Sequence, residues 1–393
     1  MIARIIIPII LIIVLEDWYF FKFCIDTLKS RKAAWASLLP GAAMIVFTTV
    51  MALQKDFAPT EGLILNCYLF LLGLHVVPKF VFTAFSFAGR MLKRMFRMQR
   101  NYGNFIGLLS IAMIWYVLFY GSFIGFSKLN VRHVTYCSED LPAAFNGYSI
   151  VQFSDAHVGT YGKRTSHQLA AAIDSINAQH PDMIVFTGDL QNMTPQEIIP
   201  HKHLLSSLKA ADGVYSVLGN HDYAEYVNTD EATKAKNCRL TRSMEEDMGW
   251  TLLDNAHRII RRGADSIVIA GMENDGNGKH FPQKGDVKKT LDGITDSAFV
   301  LMLEHDPSAW RRKILPQSNA RLTLSGHTHA MQFELFGWSP SSLIYKEWGG
   351  TFYEGERAIN VSTGLGGFIP FRFGVPGEIV VITLMRGKQS NRQ

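Results

Sequence analysis

Along the first third of the chain, hydrophobic residues run on without the polar interruptions of a half-buried helix. Three stretches, 34–53, 62–85 and 105–126, reach the roughly 20 residues that a helix needs to cross a hydrocarbon core. A fourth, 5–15, is shorter. Glu16 and Asp17 interrupt it before Trp18, Tyr19, Phe20 and Phe21, and the aromatic group marks it as a span ending at an interface. A secretory signal is the rival reading, but no small-residue cleavage site follows the run. After Phe126 the pattern changes to short apolar runs alternating with helical ones. Strands are expected over 148–153, 183–187, 214–218, 266–270, 299–303 and 322–324, and helices over 165–179 and 196–210. This alternation argues an α/β domain whose functional residues lie in loops at the carboxyl ends of strands. There is no internal repeat and no low-complexity segment, and residues 386–393 read as a frayed polar tail.

Charge divides the chain at the same place. Residues 1–126 carry 12 Lys+Arg against 5 Asp+Glu, and the remainder 27 against 29. The net +5 therefore arises in the apolar third, and the near-neutral remainder, with no basic stripe, argues against a nucleic-acid partner. Lys and Arg are retained on the cytoplasmic side of a membrane. The connector after the third span holds Arg90, Lys93, Arg94, Arg97 and Arg100 with no acidic residue, and the first holds Lys29, Arg31 and Lys32; the connector between spans two and three holds only Lys55 beside Asp56 and Glu61. Both basic connectors lie on one side, which places everything after the fourth span on the periplasmic or extracellular face of an inner membrane. The basic run also suits anionic lipid headgroups, which puts it on the same leaflet. Cys24 and Cys67 fall in or beside apolar segments, where a thiol acts as a small hydrophobe. Cys137 and Cys238 lack metal-type spacing, and outside the cytoplasm their pairing stays open.

Five short motifs each follow an expected strand and end in residues that bind hard or borderline cations. They are Ser154-Asp155-Ala156-His157, Gly188-Asp189, Gly219-Asn220-His221-Asp222, His305 in Leu303-Glu304-His305-Asp306, and Gly326-His327-Thr328-His329. Strand alternation would let Asp155 and His157 project the same way, and Gly188, Gly219 and Gly326 read as tight-turn positions. A lone Asp or His after a strand is usually a cap or a surface residue. Five in register are hard to assign to structure alone.

In that order, D-x-H, G-D, G-N-H-D, a single His and G-H-x-H resemble the calcineurin-like metallophosphoesterase family, over roughly residues 141–384. The likeness is to its membrane-linked bacterial branch, through Leu141, Pro142 and Gly147 before the first strand and Ser362-Thr363-Gly364-Leu365-Gly366, Pro370 and Arg372 near the end. The resemblance implies a two-sheet β-sandwich flanked by helices for the α/β domain, which follows the all-α transmembrane region read from the apolar stretches. The domains would be 1–126 (about four transmembrane helices), 127–140 (linker), 141–385 (catalytic) and 386–393 (tail). It also implies that Asp155, His157, Asp189 and His329 hold one divalent metal, and Asp189, Asn220, His305 and His327 a second. Two dications about 3.5–4 Å apart repel, which calls for a shared carboxylate, Asp189, and a bridging hydroxide as nucleophile. His221 would donate a proton or hydrogen bond on the leaving-group side, with Asp222 holding its tautomer. Carboxylate and imidazole donors suit Mn, Fe, Zn or Co.

One departure stands out: where the branch has two glycines and Gln after G-H-T-H, this chain has Ala330, Met331 and Gln332, which would narrow or regrease the pocket. Arg372, between two phenylalanines, is a candidate phosphate clamp or a structural salt bridge. His201 and His203 read as solvent-exposed, and Arg311, Arg312 and Lys313 as a solvated helix face. His167, His180, His257 and His280 lack a partner at ligand spacing. The function expected is hydrolysis of a phosphate ester or pyrophosphate, with a phosphorylated small molecule or lipid as substrate. A lipid-headgroup or nucleotide-sugar-lipid pyrophosphohydrolase is one alternative, and a catalytically silent envelope sensor is another; no ligand of the set is missing to favour silence.

Overall fold

The computed structural model describes residues 5–25, 31–54, 62–163, 165–278 and 281–388. Lys29, Lys55, Asp56, Glu61 and His280 lie outside the described residues. The chain forms two compact units, Met1–Ile124 and Gly125–Gln393.

The first unit is helical. Its main helices are α1 (Ile6–Phe20), α2 (Leu39–Ala52), α3 (Gly62–Met95) and α4 (Tyr102–Phe123). Among the described residues two helices, Gly62–Met95 and Tyr102–Ser127, are long and apolar enough to cross a membrane. α2 has 14 residues, about 21 Å at 1.5 Å per residue, shorter than the expected span at 34–53. Pro40 falls in its first turn, where the missing N–H costs no intrahelical hydrogen bond. α3 and α4 approach closely because Gly89, Gly103 and Gly107 face the partner helix; a Cβ at Gly103 would overlap the Phe85 carbonyl.

The second unit is a sandwich of two six-stranded sheets. One runs β1 (Leu129–Ser138), β12 (Gly377–Arg386), β2 (Tyr148–Phe153), β3 (Met183–Phe186), β4 (Val214–Ser216) and β5 (Thr251–Leu252). The other runs β10 (Gly350–Glu354), β11 (Arg357–Val361), β9 (Leu322–Ser325), β8 (Val300–Leu303), β7 (Asp265–Gly271) and β6 (Ala256–Arg262). The central strands β2, β3 and β4, and likewise β7, β8 and β9, pair in parallel. Strands of this kind are apolar on both faces. Ile150 and Val185 meet Leu303 and Leu324 between the sheets. Val151, Phe153 and Phe186 turn instead to α5 (Ser166–Asn177), where they pack on Leu169, Ile173 and Ile176. Buried Gln152 crosses the sandwich: its Nε2 donates to the Ser325 carbonyl at 2.8 Å, and its Oε1 accepts from Asn360 Nδ2 at 2.7 Å. This joins β2 to β9 and β11 next to where β2 and β9 end.

Several details differ from the sequence expectation. Residues 127–140, expected as a linker, contain β1, which pairs with β12 along its whole length. The helix expected over 196–210 is broken into short turns with a single helical turn at Lys202–Leu205, because Pro200 lacks the N–H that a continuous helix needs. A polar helix, α6 (Glu231–Asp247), was not expected. No disulfide joins Cys137 and Cys238: one lies on β1 and the other is buried on α6.

Candidate metal centre

The backbone leaves the β region abruptly where the central strands end. Asp155 (φ 52°), His157 (44°), Asp189 (62°), His327 (73°) and His329 (50°) all take the left-handed conformation, which costs a non-glycine residue about 1–2 kcal/mol and concentrates at functional sites. Asp155 and His157 therefore share a side through two left-handed residues beyond the end of β2 at Phe153, not through strand alternation. Of the three expected turn glycines, only Gly188 has a positive φ (95°). Gly219 and Gly326 serve close approach instead: a Cβ there would overlap the Asp189 carboxylate, or Ser154 and Asp155.

All seven expected ligands come together, with Asp189 at the centre. Asp189 Oδ2 lies 3.6 Å from His157 Nε2 and 3.3 Å from His305 Nε2. On one side, His329 Nε2 is 3.2 Å from both His157 Nε2 and Asp155 Oδ1. On the other, Asn220 Oδ1 is 3.1 Å from His305 Nε2 and 2.8 Å from His327 Nδ1. Ligand atoms of Asp155, His157, Asp189 and His329 fall within 4.8 Å of one another, as do those of Asp189, His305 and His327.

These separations suit cations. Donors about 2.0–2.2 Å from a common ion are spaced about 2.8–3.6 Å along the edges of an octahedron or tetrahedron. Burial, reinforced by His221, pushes His157 down to about 3. Burial and His157 hold His329 well below the ordinary imidazole range, and burial lowers His327. These rings are neutral at pH 7, the form that ligates. Burial opposes ionisation of Asp189, but His305 and His221 outweigh it and hold the carboxyl well below the usual range. Burial likewise opposes charge on His305, and Asp189 and Asp155 raise it well above the imidazole range; a cation held there would take the place of that proton.

The expected partnership of Asp222 with His221 is not what the structure shows. Asp222 turns back into the protein, where its carboxylate accepts the backbone N–H groups of Asp189 (2.8 Å), Gly219 (2.9 Å), Leu190 (2.9 Å) and Gln191 (3.3 Å). It thus fixes the loop that carries Asp189. His221 Nδ1 instead donates to the Asn192 carbonyl at 2.5 Å. The His221 ring packs beside Tyr226 and Phe368, with centroids 4.5 and 5.6 Å away. Tyr226 accepts from Asn220 Nδ2 at 2.7 Å, and Tyr345 OH stands 2.8 Å from His327 Nε2. Asn192, Tyr226, Tyr345 and Phe368 sit in loops without periodicity, and no sequence signal marks them.

Arg372 is enclosed by backbone carbonyls and, among the described residues, has no ion-pair partner. It is 1% exposed, and its guanidinium donates to the carbonyls of Thr363, Gly364, Gly366, Val375 and Pro376. It thereby holds the Gly-rich segment, whose Leu365 and Gly366 N–H groups bond the Ser154 and Asp155 carbonyls. Arg372→Ala strands these buried carbonyls at about 1–3 kcal/mol each. The expected result is a thermal midpoint lowered by at least about 10 °C, read by calorimetry, with metal affinity falling alongside. Retention of the midpoint within about 2 °C contradicts this role.

Other side chains also depart from expectation. His201 is buried, with Nε2 3.1 Å from the Tyr161 carbonyl. Arg311 pairs with Glu347 and Glu354, while Arg312 and Lys313 pair with Asp275, so the cluster is tied into ion pairs. Ala330 and Met331, where the resembling branch has glycines, take φ of 51° and 49°, a conformation that glycine reaches without steric cost. Ala330 is buried and Met331 points outward.

Residues 148–331 match the calcineurin-like phosphoesterase family, and residues 3–126 match the transmembrane domain of a probable calcineurin-like phosphoesterase. The uncharacterized metallophosphoesterase YkuE of Bacillus subtilis is 31% identical over 75% of this chain and 99% of its own length. A transmembrane protein with a metallophosphoesterase domain from Danio rerio is 29% identical over 66% of this chain, which spans 60% of that protein. The UDP-2,3-diacylglucosamine pyrophosphatase LpxG of Chlamydia trachomatis is 28% identical, over 64% of this chain and 89% of that protein.

Proposed function

Because the chain belongs to the calcineurin-like phosphoesterase family as a membrane-linked metallophosphoesterase, we propose that its seven clustered ligands form a dinuclear site that hydrolyses a phosphate ester or pyrophosphate. The observation that carries this reading is Asp189 Oδ2, placed between His157 and His305 of the two ligand groups. Asp155, His157, Asp189 and His329 hold one cation, and Asp189, Asn220, His305 and His327 the other. Bound there, two dications supply Lewis acidity toward phosphoryl oxygens and toward a water molecule. His221 provides the proton for the leaving group. The Asn192 carbonyl keeps the proton on Nδ1, so Nε2 is the nitrogen that gives up its proton when the ring is charged. Tyr226 and Phe368 pack against this imidazole and fix its plane. Carboxylate, amide and imidazole donors of this kind suit Mn, Fe, Zn or Co. The test is a screen of purified full-length protein, stripped and then loaded with each metal, against mono-, di- and pyrophosphates. Hydrolysis of at least one class is expected, and metal-loaded protein inert on all of them contradicts the proposal.

A lipid-linked phosphate is the substrate class favoured by a second observation. Between His329 and Tyr345 the chain exposes Leu335, Phe336, Trp338, Leu343 and Ile344, with Phe336 99% and Leu343 78% accessible. Exposed apolar side chains concentrated in one segment beside a site mark a surface for apolar ligands. The lipid pyrophosphatase relative agrees with this reading. In the same screen, a lipid phosphate in nanodiscs is expected to exceed its water-soluble headgroup analogue in kcat/KM. Equal rates on both remove the lipid reading and leave the hydrolase standing.

We place the catalytic domain outside the cytoplasm of an inner membrane. Support comes from the basic run Arg90 to Arg100, which closes α3 and turns into α4. Alkaline phosphatase fused after Gln393 is expected to be active and green fluorescent protein dark. The reverse pattern puts the domain in the cytoplasm.

A further inference from the structure

The helical unit contains ionisable side chains for which hydrolysis has no use. Glu16 and Asp17 are neighbours on α1, and His75 and Lys79 lie a turn apart on α3. Glu16 is 1% exposed, and Asp17 and Lys79 are also buried. Lys79 pairs with Asp17. Both carboxylate oxygens of Glu16 and the Nε2 of His75 are buried without a hydrogen-bond partner. Ligand atoms of Glu16, Asp17 and His75 nevertheless fall within 4.8 Å of one another. α2, which also packs on α1, carries no ionisable residue.

A charge count selects what fits. The Asp17 carboxylate and the Lys79 ammonium cancel, a neutral His75 adds nothing, and Glu16 leaves one negative charge. A bare carboxylate in an apolar helical bundle is among the costliest groups a protein can hold. We propose that Glu16, with Asp17 and His75 beside it, is a binding site for one positive charge, carried by a proton or by an alkali cation. A dication fits poorly, because Lys79 already occupies Asp17 and would repel it.

Two further features point the same way. α3 is interrupted by a π-helical turn, Leu72–Val76, which carries His75 and is followed by Pro78; such turns recur at functional positions. A cavity of about 450 Å³ reaches His75 and Lys79 between Phe20, Leu74, Pro78 and Trp115, giving the site a way in. The helices then build a polar site, which one anchoring span cannot do.

The test is labelling of full-length protein in nanodiscs with dicyclohexylcarbodiimide, which partitions into apolar regions and reacts with protonated carboxyls. Mass spectrometry reads the adduct on the peptide carrying Glu16. Labelling is expected at acidic pH, falling roughly tenfold per pH unit once the carboxyl ionises. Exchange of choline chloride for sodium chloride at constant ionic strength separates the carriers. Protection by sodium assigns an alkali cation, and indifference to sodium with pH-dependent labelling assigns the proton. Glu16→Gln is expected to abolish the adduct while leaving nitrophenyl phosphate hydrolysis unchanged, which locates the label. Absence of labelling at every pH, or labelling indifferent to both pH and sodium, overturns the proposal without touching the metal centre.

Discussion

Asp189→Asn is expected to lower kcat/KM by more than about 10³-fold and to leave the protein with fewer than two bound cations. Asparagine keeps the shape of the side chain, and its carbonyl oxygen can still accept the His221 backbone N–H that Oδ1 accepts at 2.8 Å. What it removes is the negative charge between His157 and His305. Two dications about 3.5–4 Å apart then repel without compensation. A single displaced electrostatic group at a preorganised site costs about 10²–10³-fold, and loss of a cation adds to that. Elemental analysis beside steady-state kinetics reads both effects. A variant holding two cations with wild-type activity shows that Asp189 does not bridge.

His221→Ala separates proton transfer from metal binding, since His221 belongs to neither ligand group. Both cations are expected to stay bound. General acid catalysis contributes about 10²–10⁴-fold, so a loss of that order is expected for alkyl phosphates, whose leaving groups need a proton. For nitrophenyl phosphate, which leaves as a stable anion, the loss is expected to be clearly smaller. A uniform loss with metals retained identifies His221 as a stabiliser of phosphoryl oxygens and not as the acid. Loss of a metal means that the ligand assignment is wrong.

The strands that end at the site were legible because they are buried on both faces and so read as unbroken apolar runs, as in Met183–Phe186 and Val300–Leu303. Edge strands were not. β1 interleaves Arg132 and His133 with its valines, and β6 carries Arg258, Arg261 and Arg262; His133, Arg258 and Arg261 are exposed, while Arg132 and Arg262 are half-buried in ion pairs with Glu378 and Asp182, so neither strand reads as an apolar run. α6 was missed because its buried side includes only Cys238, Thr241, Met244 and Glu245 along 17 residues. The candidate ligands were readable as residue types after strands, whereas orientation was not. Asp222 adjoins His221 in sequence, yet the turn through Asn220–Tyr223 sends the carboxylate back to four amides. Arg372 reads as a phosphate clamp or a salt-bridge partner because sequence shows its charge but not the five carbonyls that surround it.

If one carboxylate joins two metal positions, anomalous diffraction from crystals of the manganese-loaded protein shows it. The predicted result is two anomalous peaks about 3.5–4 Å apart, one among Asp155, His157 and His329, the other among Asn220, His305 and His327, with Asp189 between them. A single peak, or two peaks without Asp189 in contact with both, contradicts it.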